Sequence, residues 1–224
     1  MKLSAVLVAA GSSRRMQSAV RNKLLADLNG RPVLAYTIEA FTSCAAIDEL
    51  VIVTSDHKIE AELGTAAPEA VFVPGGKTRK ESSEQGVLAA TGDHVLIHDG
   101  ARPFPSQALI HRVIDAMHAH GAAIPVLRMH DALHLADDAF LHAPEGPSTP
   151  SACVRAQTPQ GFRREQLLEC LGDSPDTLRD DAAAFLRHNL PVAVVAGDPL
   201  NLKITTPEDL ALATAIATLR KQDV

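Results

Sequence analysis

Short apolar segments that alternate with longer helical stretches constrain the fold of this 224-residue chain more than any other feature. The apolar segments are Leu3–Ala10, Leu50–Thr54, Val71–Val73, His94–His98, Ala122–Leu127 and Pro191–Val195. Most are continuous rather than alternating, which predicts strands buried on both faces. The stretches predicted to be helical are Pro32–Thr42, Ile59–Gly64, Lys80–Ala90, Ser106–His120, Arg164–Leu171, Asp180–His188 and Pro207–Leu219. This alternation predicts an α/β fold with a mainly parallel sheet and right-handed crossovers.

Composition narrows the class of protein. The length suits one domain, residues 1–224, and the net charge of -6 argues against a general nucleic-acid binder. No apolar run approaches the ~20 residues of a membrane span, so we expect no membrane partner. The three cysteines show no CxxC spacing, which favours a reducing, cytoplasmic location. A signal peptide is the alternative interpretation of Leu3–Ala10, but a run of about eight apolar residues fits a buried strand better.

Residues 129–156 break the alternation. They hold Asp-rich turns at Asp131, Asp137 and Asp138, and then a Pro/Gly/Ser-rich stretch from Pro144 to Pro150. A long excursion inside a compact domain is usually functional, disordered or an interaction arm. We interpret this one as a protruding β-arm, with a hairpin as its expected form, through which two copies of the chain form a homodimer.

The loop after the first strand has the composition of a phosphate-binding turn. It runs Ala9-Ala10-Gly11-Ser12-Ser13-Arg14-Arg15-Met16, and Lys23 follows. Small residues after a parallel strand let backbone N–H groups approach phosphate, while basic side chains offset its charge. The spacing matches neither a P-loop nor the dinucleotide fingerprint. A solvated basic turn remains the alternative.

Another predicted strand ends in a segment with three polar, ionisable residues: His98-Asp99-Gly100-Ala101-Arg102-Pro103. Ligands of open α/β sheets bind at the carboxyl ends of strands, so Asp99 is placed to accept from sugar or polyol hydroxyls, or to orient a metal-bound water, and Arg102 to bind a phosphate. The alternative role for Asp99 is to cap a following helix.

Two further segments are candidates for ligand binding. Gly75-Gly76-Lys77-Thr78-Arg79-Lys80-Glu81-Ser82 lets backbone groups approach a planar base, with a flexible basic loop as the alternative. Lys203 precedes a helix that Thr206 can cap and Pro207 can begin, although surface lysines are usually only solvated. The predicted helical histidines, His111, His118 and His120, lack zinc-site spacing, so we expect no metal held by the protein itself.

Taken in order, these segments resemble the 2-C-methyl-D-erythritol 4-phosphate cytidylyltransferase family and the related ribitol-5-phosphate cytidylyltransferases. The matching residues are Ala9-Ala10-Gly11, Arg15-Met16, Lys23, Gly75-Gly76, Arg79, Ser82, His98-Asp99, Arg102-Pro103, Gln157–Phe162, Asp180-Asp181-Ala182 and Leu202–Thr205. The resemblance spans nearly the whole chain. It implies a Rossmann-like nucleotidyltransferase fold, a three-layer sandwich, and a homodimer whose arms reach the neighbouring subunit's site.

The resemblance also implies a reaction, transfer of CMP from CTP to a small phosphorylated polyol, and a role for each matched residue. CTP would be bound by Ala9, Ala10, Gly11, Ser12, Ser13, Arg15, Lys23, Gly76, Arg79, Ser82, Asp99 and Gly100. The acceptor would be bound by Asp99, Arg102, Asp131, Thr158 and Lys203. Catalysis would fall to Arg15, Lys23 and Lys203, with Mg²⁺ as cofactor, held mainly by the CTP phosphates.

The acceptor half departs from the family pattern. The family arm carries an Asp-Thr pair, whereas this chain has Asp131-Ala132. The family arm also carries an arginine that binds the acceptor phosphate, whereas this chain has Pro150, Ser151 or Ala152 at the corresponding position, depending on the gap. Lys77 also stands where the family often has an acid. A second acceptor, such as ribitol 5-phosphate, and a non-catalytic CTP-binding module therefore remain alternatives to methylerythritol phosphate transfer.

Overall fold

The computed structural model describes residues 1–11, 22–131, 134–136, 141–142 and 153–222. In these ranges the strands are β1 (Leu3–Val8), β2 (Asp27–Leu28), β3 (Arg31–Pro32), β4 (Glu49–Val53), β5 (Val71–Val73), β6 (His94–Asp99), β7 (Ala122–Arg128), β8 (Leu135–Ala136), β9 (Leu141–His142), β10 (Val154–Ala156), β11 (Gln160–Arg163) and β12 (Ala193–Ala196). The helices are α1 (Val33–Thr42), α2 (His57–Leu63), α3 (Arg79–Ala89), α4 (Gln107–His120), α5 (Arg164–Gly172), α6 (Ala182–Arg187) and α7 (Pro207–Gln222).

One large mixed sheet organises the domain. Its strands follow the order β10-β7-β11-β6-β1-β4-β5, and β12 pairs with β7. The pairs β1–β4, β1–β6, β4–β5 and β7–β12 are parallel, whereas β11 runs antiparallel to both β6 and β7. The predicted α/β class and the mainly parallel sheet are confirmed. The antiparallel strand β11 is a feature that the apolar pattern did not predict.

Strand β1 lies at the centre because both of its faces are apolar. Leu7 packs on one side in a cluster with residues of α1 and α4, such as Phe41 and Ile110. Val6 packs on the other side with α3, α5 and α6. Each fully buried side chain of this size contributes about 1.5–3 kcal/mol relative to exposure. The carboxyl end of β1 is therefore fixed between two helical layers.

Side-chain caps set the starts of the helices near the sheet edge. Thr78 accepts from the backbone N–H of Glu81 at the start of α3, and Ser106 caps α4. At α7, the Asp209 carboxylate accepts from Thr206 N at 2.9 Å, while the Thr206 hydroxyl accepts from Asp209 N at 3.4 Å. The predicted cap at Thr206 is confirmed. Observed helix limits differ from the predicted ones by at most three residues, and four of them, Thr42, His120, Arg164 and Pro207, are the same.

The predicted arm is described only in part. Strands β8 and β9 pair antiparallel in a sheet of their own, as a hairpin requires. Strand β10, however, pairs with β7, so residues 154–156 belong to the main sheet and the predicted arm is too long at that end. Ala132, Asp137, Asp138 and residues 143–152 lie outside the described residues, and the dimerisation role stays a prediction. In the described part of the chain, no helix has the length and apolarity needed to cross a membrane.

Candidate functional site

A cavity of about 480 Å³ lies at the carboxyl ends of β1, β5 and β6. Its lining consists of Val8, Ala10, Gly11, Lys23, Leu24, Gly76, Lys77, Thr78, Arg79, Ser82, Asp99, Ala101, Lys203 and Thr205. Five segments of the sequence, the first at Val8–Gly11 and the last at Lys203–Thr205, thus meet at one edge of the sheet. Eight of the predicted site residues are in this lining: Ala10, Gly11, Lys23, Gly76, Arg79, Ser82, Asp99 and Lys203. Ser12, Ser13 and Arg15 lie outside the described residues.

The first loop and the glycine-rich loop touch each other. A Cβ atom added at Gly75 would lie 2.2 Å from the Cβ of Ala10, so this approach requires glycine. Two predicted residues act through their backbones beside the cavity: Ala9 N donates to Val53 O at 2.8 Å, and Gly100 N donates to Val8 O at 3.0 Å. The cavity floor is therefore tied directly to β1 and β4.

Asp99, the last residue of β6, is the electrostatic centre of the site. Its Oδ2 accepts from Lys203 Nζ at 2.8 Å, its Oδ1 lies 3.4 Å from Arg79 Nε, and its Oδ2 lies 3.6 Å from Arg102 Nε. Burial alone would raise the pKa of Asp99, but these three cations hold it far below its ordinary value. Asp99 is consequently a carboxylate throughout the physiological pH range, and it does not cap a helix.

Arg79 joins Asp99 to a second, more deeply buried carboxylate. Its Nη2 donates to Asp181 Oδ2 at 2.8 Å, and the Asp181 side chain is only 1% exposed. Burial would lower the pKa of Arg79, but Asp181 and Asp99 together raise it above its ordinary value. Asp181 thus neutralises part of the Arg79 charge inside the protein. Arg79 both lines the cavity and holds the Asp99 carboxylate in position.

Lys23 and Lys203 are brought together by the segment before α7. Lys23 Nζ donates to the backbone oxygen of Ile204 at 2.9 Å, and Ile204 N donates to Ala101 O at 2.9 Å. Both ammonium groups therefore reach the same cavity although 180 residues separate them. With Lys77 and Arg79, the described lining carries four basic side chains and one carboxylate, a balance that suits a polyanion.

Ser82 shapes the glycine-rich loop from the first turn of α3. Its hydroxyl donates to Thr78 O at 2.9 Å and accepts from Gly76 N at 3.1 Å. The Glu81 carboxylate accepts from Lys77 N at 2.6 Å. These bonds fold the loop over the cavity, so Ser82 is placed where the sequence predicted but uses its hydroxyl to hold the loop.

The predicted acceptor-binding residues divide into two groups. Asp99 and Lys203 line the cavity, whereas Arg102 and Thr158 are not among its lining residues. Arg102 Nη1 donates to Asn201 O at 2.8 Å, and Thr158 is 3% exposed with its hydroxyl bonded within the protein. Asp131 is exposed and also outside the lining.

Three residues that organise this region were given no role in the sequence analysis, although His98 and Gln157 lie in its matched segments. Asn201, fully buried, donates through Nδ2 to Thr158 O at 2.7 Å. Gln157 donates to Asp198 O and Asn201 O, and accepts from Asp198 N. His98 contacts both Thr158 and Arg102 O. Their signal was weak because a single polar residue in a buried segment gives no periodic pattern.

The described residues do not form a protein metal cage. No group of three or more His, Cys, Asp or Glu side chains in this part of the chain is placed to hold an ion. The cavity offers one carboxylate, Asp99, and basic groups already surround it. A divalent cation would fit here only as a partner of an anionic ligand that supplies most of the oxygen atoms.

Comparison with known proteins gives a consistent result over nearly the whole chain. A family model described as IspD, 2-C-methyl-D-erythritol 4-phosphate cytidylyltransferase, matches residues 3–219. The enzymes so named from Prochlorococcus marinus (strain MIT 9313) and Synechococcus sp. (strain WH7803) are 41% and 40% identical, over 96% of this chain and 98% and 99% of theirs. The 4-diphosphocytidyl-2C-methyl-D-erythritol synthase of Anaerococcus prevotii DSM 20548 superposes with a TM-score of 0.82 at 28% identity, covering 97% of this chain and 96% of its own. The 2-C-methyl-D-erythritol 4-phosphate cytidylyltransferase of Thermus thermophilus gives a TM-score of 0.76 at 32% identity, covering 95% of this chain and 98% of its own.

Proposed function

This chain belongs to the 2-C-methyl-D-erythritol 4-phosphate cytidylyltransferase family, and from this premise we propose how its cavity carries out the reaction. The enzyme is a nucleotidyltransferase that transfers CMP from CTP to 2-C-methyl-D-erythritol 4-phosphate and releases pyrophosphate, a step of the non-mevalonate route to isoprenoid precursors. The observation that supports this site is a single cavity whose lining holds four basic side chains, Lys23, Lys77, Arg79 and Lys203, together with the Asp99 carboxylate.

The chemistry requires positioning and charge stabilisation rather than a strong base. A phosphate oxygen of the acceptor attacks the α-phosphorus of CTP, a new P–O bond forms, and the bond to the pyrophosphate oxygen breaks. The acceptor phosphate is already a nucleophile near neutral pH, so no protein group must remove a proton. Lys23 and Lys203 supply fixed positive charge where negative charge develops. Arg15 completes this set in our proposal, although it lies outside the described residues.

Asp99 serves the acceptor side of the cavity. Its carboxylate holds the Lys203 ammonium at 2.8 Å and, being charged, accepts hydrogen bonds from polyol hydroxyls. The ion pair with Asp99 therefore holds the Lys203 ammonium group in one position in the cavity. Arg102 does not line the cavity, but its guanidinium lies 3.6 Å from the same carboxylate, and we propose that it adds positive charge on the acceptor side from behind Asp99.

The nucleotide is bound by the two loops that touch at Gly75 and Ala10. Backbone groups of the Ala9–Gly11 loop and the glycine-rich loop approach the triphosphate and the base, because no bulky side chain intervenes. Ser82 acts by holding Gly76 and Thr78 in this shape.

Mg²⁺ fits this site as a companion of the CTP phosphates. When bound, it supplies further neutralisation of triphosphate charge. The described residues offer no protein cage, so we propose that CTP provides most of its ligands. Calorimetric titration with CTP should therefore give tighter binding in the presence of Mg²⁺, and equal affinity with and without the ion would contradict this.

The proposed working form is a cytoplasmic homodimer in which the arm lies within residues 129–153, since residues 154–156 pair with β7 in the main sheet. The paired strands β8 and β9 support a hairpin in this stretch. The free cysteines Cys44 and Cys170 are buried without a disulfide partner, which suits a reducing compartment. Light scattering at micromolar concentration tests the dimer, and a monomeric mass would contradict it.

The proposal is tested with CTP, Mg²⁺ and two acceptors, methylerythritol phosphate and ribitol 5-phosphate. We expect phosphorus NMR to show a cytidine diphosphate ester of methylerythritol and pyrophosphate in equal amounts. Turnover only with ribitol 5-phosphate would reassign the acceptor, and Ala132 would then be part of the reason. CTP binding without turnover on either acceptor would indicate a non-catalytic nucleotide-binding module.

A further inference from the structure

We propose that His98 is a positioning residue of this transferase, which acts through Thr158 to fix the Asp99–Arg102 segment that serves the acceptor. The inference rests on the proposed use of Asp99 and Arg102 by the acceptor. His98 and Thr158 do not line the cavity, so neither is expected to touch the reacting atoms.

The hydrogen bonds of His98 determine which of its nitrogens carries the proton. The ring is fully buried at the end of β6, and its Nε2 lies 3.0 Å from the backbone oxygen of Arg102. A carbonyl oxygen only accepts, so Nε2 carries the hydrogen. In the neutral ring, Nδ1 is then an acceptor, and it lies 3.0 Å from Thr158 Oγ1.

The orientation of the Thr158 hydroxyl follows from this tautomer. The hydroxyl donates its single proton to His98 Nδ1, and its oxygen accepts from Asp99 N at 3.2 Å. A directed chain therefore runs from Asp99 N–H through Thr158 and His98 to the carbonyl of Arg102. Thr158 has no second proton to give an acceptor phosphate, so its contribution to the reaction is indirect.

The surroundings keep His98 neutral and its ring fixed. The pKa of His98 is lowered to about 4, and burial is the main cause. The hydrogen bond to Arg102 O and the facing Asp99 carboxylate act in the opposite direction, while the charges of Arg102 and Lys203 add to the lowering. The Phe41 ring packs on it with centroids 4.8 Å apart. Thr37 Oγ1 lies 3.1 Å from Gly100 O and 3.3 Å from Arg102 O, so the same segment is held from α1 as well.

The chain of hydrogen bonds holds the Asp99–Arg102 segment at both of its ends. Its first contact is the backbone N–H of Asp99, and its last is the carbonyl of Arg102. Both side chains proposed for the acceptor project from these two residues. Loss of the chain should therefore loosen the acceptor half of the cavity while the CTP half, built on Gly11 and Gly76, stays in place.

Two substitutions of His98 separate the two ends of the chain. His98→Asn can keep an acceptor near the Nδ1 position, facing Thr158, whereas His98→Gln can keep a donor near the Nε2 position, facing Arg102 O. A role through Thr158 predicts that His98→Asn retains more activity than His98→Gln. For His98→Gln, we expect the KM of methylerythritol phosphate to rise about tenfold, with the CTP dissociation constant unchanged.

Thr158→Val and Thr158→Ser provide the matched pair at the second residue. Valine keeps the shape and removes the hydroxyl, so it should reproduce the acceptor-specific KM increase of His98→Gln, while serine should restore near-normal kinetics. Nitrogen-15 NMR of wild type gives a readout independent of turnover: His98 should be the Nε2–H tautomer and remain neutral at pH 6.

Clear outcomes would overturn the inference. A protonated Nδ1 in the wild-type enzyme would reverse the chain of donors. Equal losses in His98→Asn and His98→Gln, or parallel changes in acceptor KM and CTP affinity, would show that His98 only fills space. If wild type turns over no acceptor, the proposed function fails, while the NMR result still decides whether the chain of bonds exists.

Discussion

Lowering the pH should destabilise this protein because His98 must remain neutral in the folded state. In the unfolded chain His98 takes up a proton below its ordinary pKa of 6.5, whereas in the folded protein its pKa is about 4. Between these values the unfolded state binds more protons, so the free energy of unfolding falls as the pH falls. The contribution is fully present above pH 6.5 and is lost progressively down to pH 4.

The size of the effect follows from the same two values. A difference between 6.5 and about 4, at about 1.4 kcal/mol per pKa unit, corresponds to roughly 3 kcal/mol. That is a large fraction of the ~5–15 kcal/mol that stabilises a typical domain. Asp99 does not contribute in this window, because its depressed pKa makes its stabilisation fall only below the unfolded value of 3.8.

Urea denaturation at a series of pH values between 7 and 4 measures this effect. His98→Asn should be less stable than wild type at pH 7, with a pH dependence flatter by roughly 3 kcal/mol. His94→Gln is the comparison variant: burial and then His118 also lower the pKa of His94, so its replacement should flatten the pH dependence in the same direction. A His98→Asn curve parallel to that of wild type would show that His98 does not cause this pH dependence.

Three further predictions concern the other supports of the site. Asp181→Asn removes the charge that faces Arg79, and should lower stability by about 1.5–3 kcal/mol and weaken CTP binding, whereas the exposed Asp176→Asn should do neither in thermal melts and calorimetry. Deleting residues 133–148 should give monomers with weak activity by light scattering and turnover assay; an intact dimer would contradict the role of the arm. Ala132→Thr should raise the specificity constant for methylerythritol phosphate without changing CTP affinity, and no gain would show that the acceptor phosphate is held elsewhere.

Much of the fold could be predicted because apolar segments have a local signal. The limits of Val71–Val73 are those predicted, and the buried strand at Leu3–Val8 was expected from its composition. Strand β11 was missed because Gln160–Arg163 is short and mostly polar, and its pairing with β6 and β7 depends on tertiary contacts. Local propensity carries little information about such a strand.

The site was predictable as a set of residues but not as a set of bonds. The order of the motifs predicted Lys23, Asp99 and Lys203 as site residues, and in the structure all three line one cavity. No sequence pattern pairs Arg79 with Asp181, 102 residues away. Nor does the sequence reveal that the Thr158 hydroxyl is turned inward, since this depends on the tautomer of a buried histidine.

We propose that the charged cavity that includes Asp99 stabilises the transition state of CMP transfer. Single-turnover measurement of CMP transfer in Lys23→Ala tests it most directly, with the exposed Lys58→Ala as control. Loss of one such donor commonly costs ~2.7–4 kcal/mol, so the rate for Lys23→Ala should fall at least about a hundredfold while its circular dichroism is unchanged. Lys58→Ala should match wild type. A near-normal rate for Lys23→Ala would mean that the Lys23 ammonium group only bonds to Ile204 O and does not stabilise the transition state.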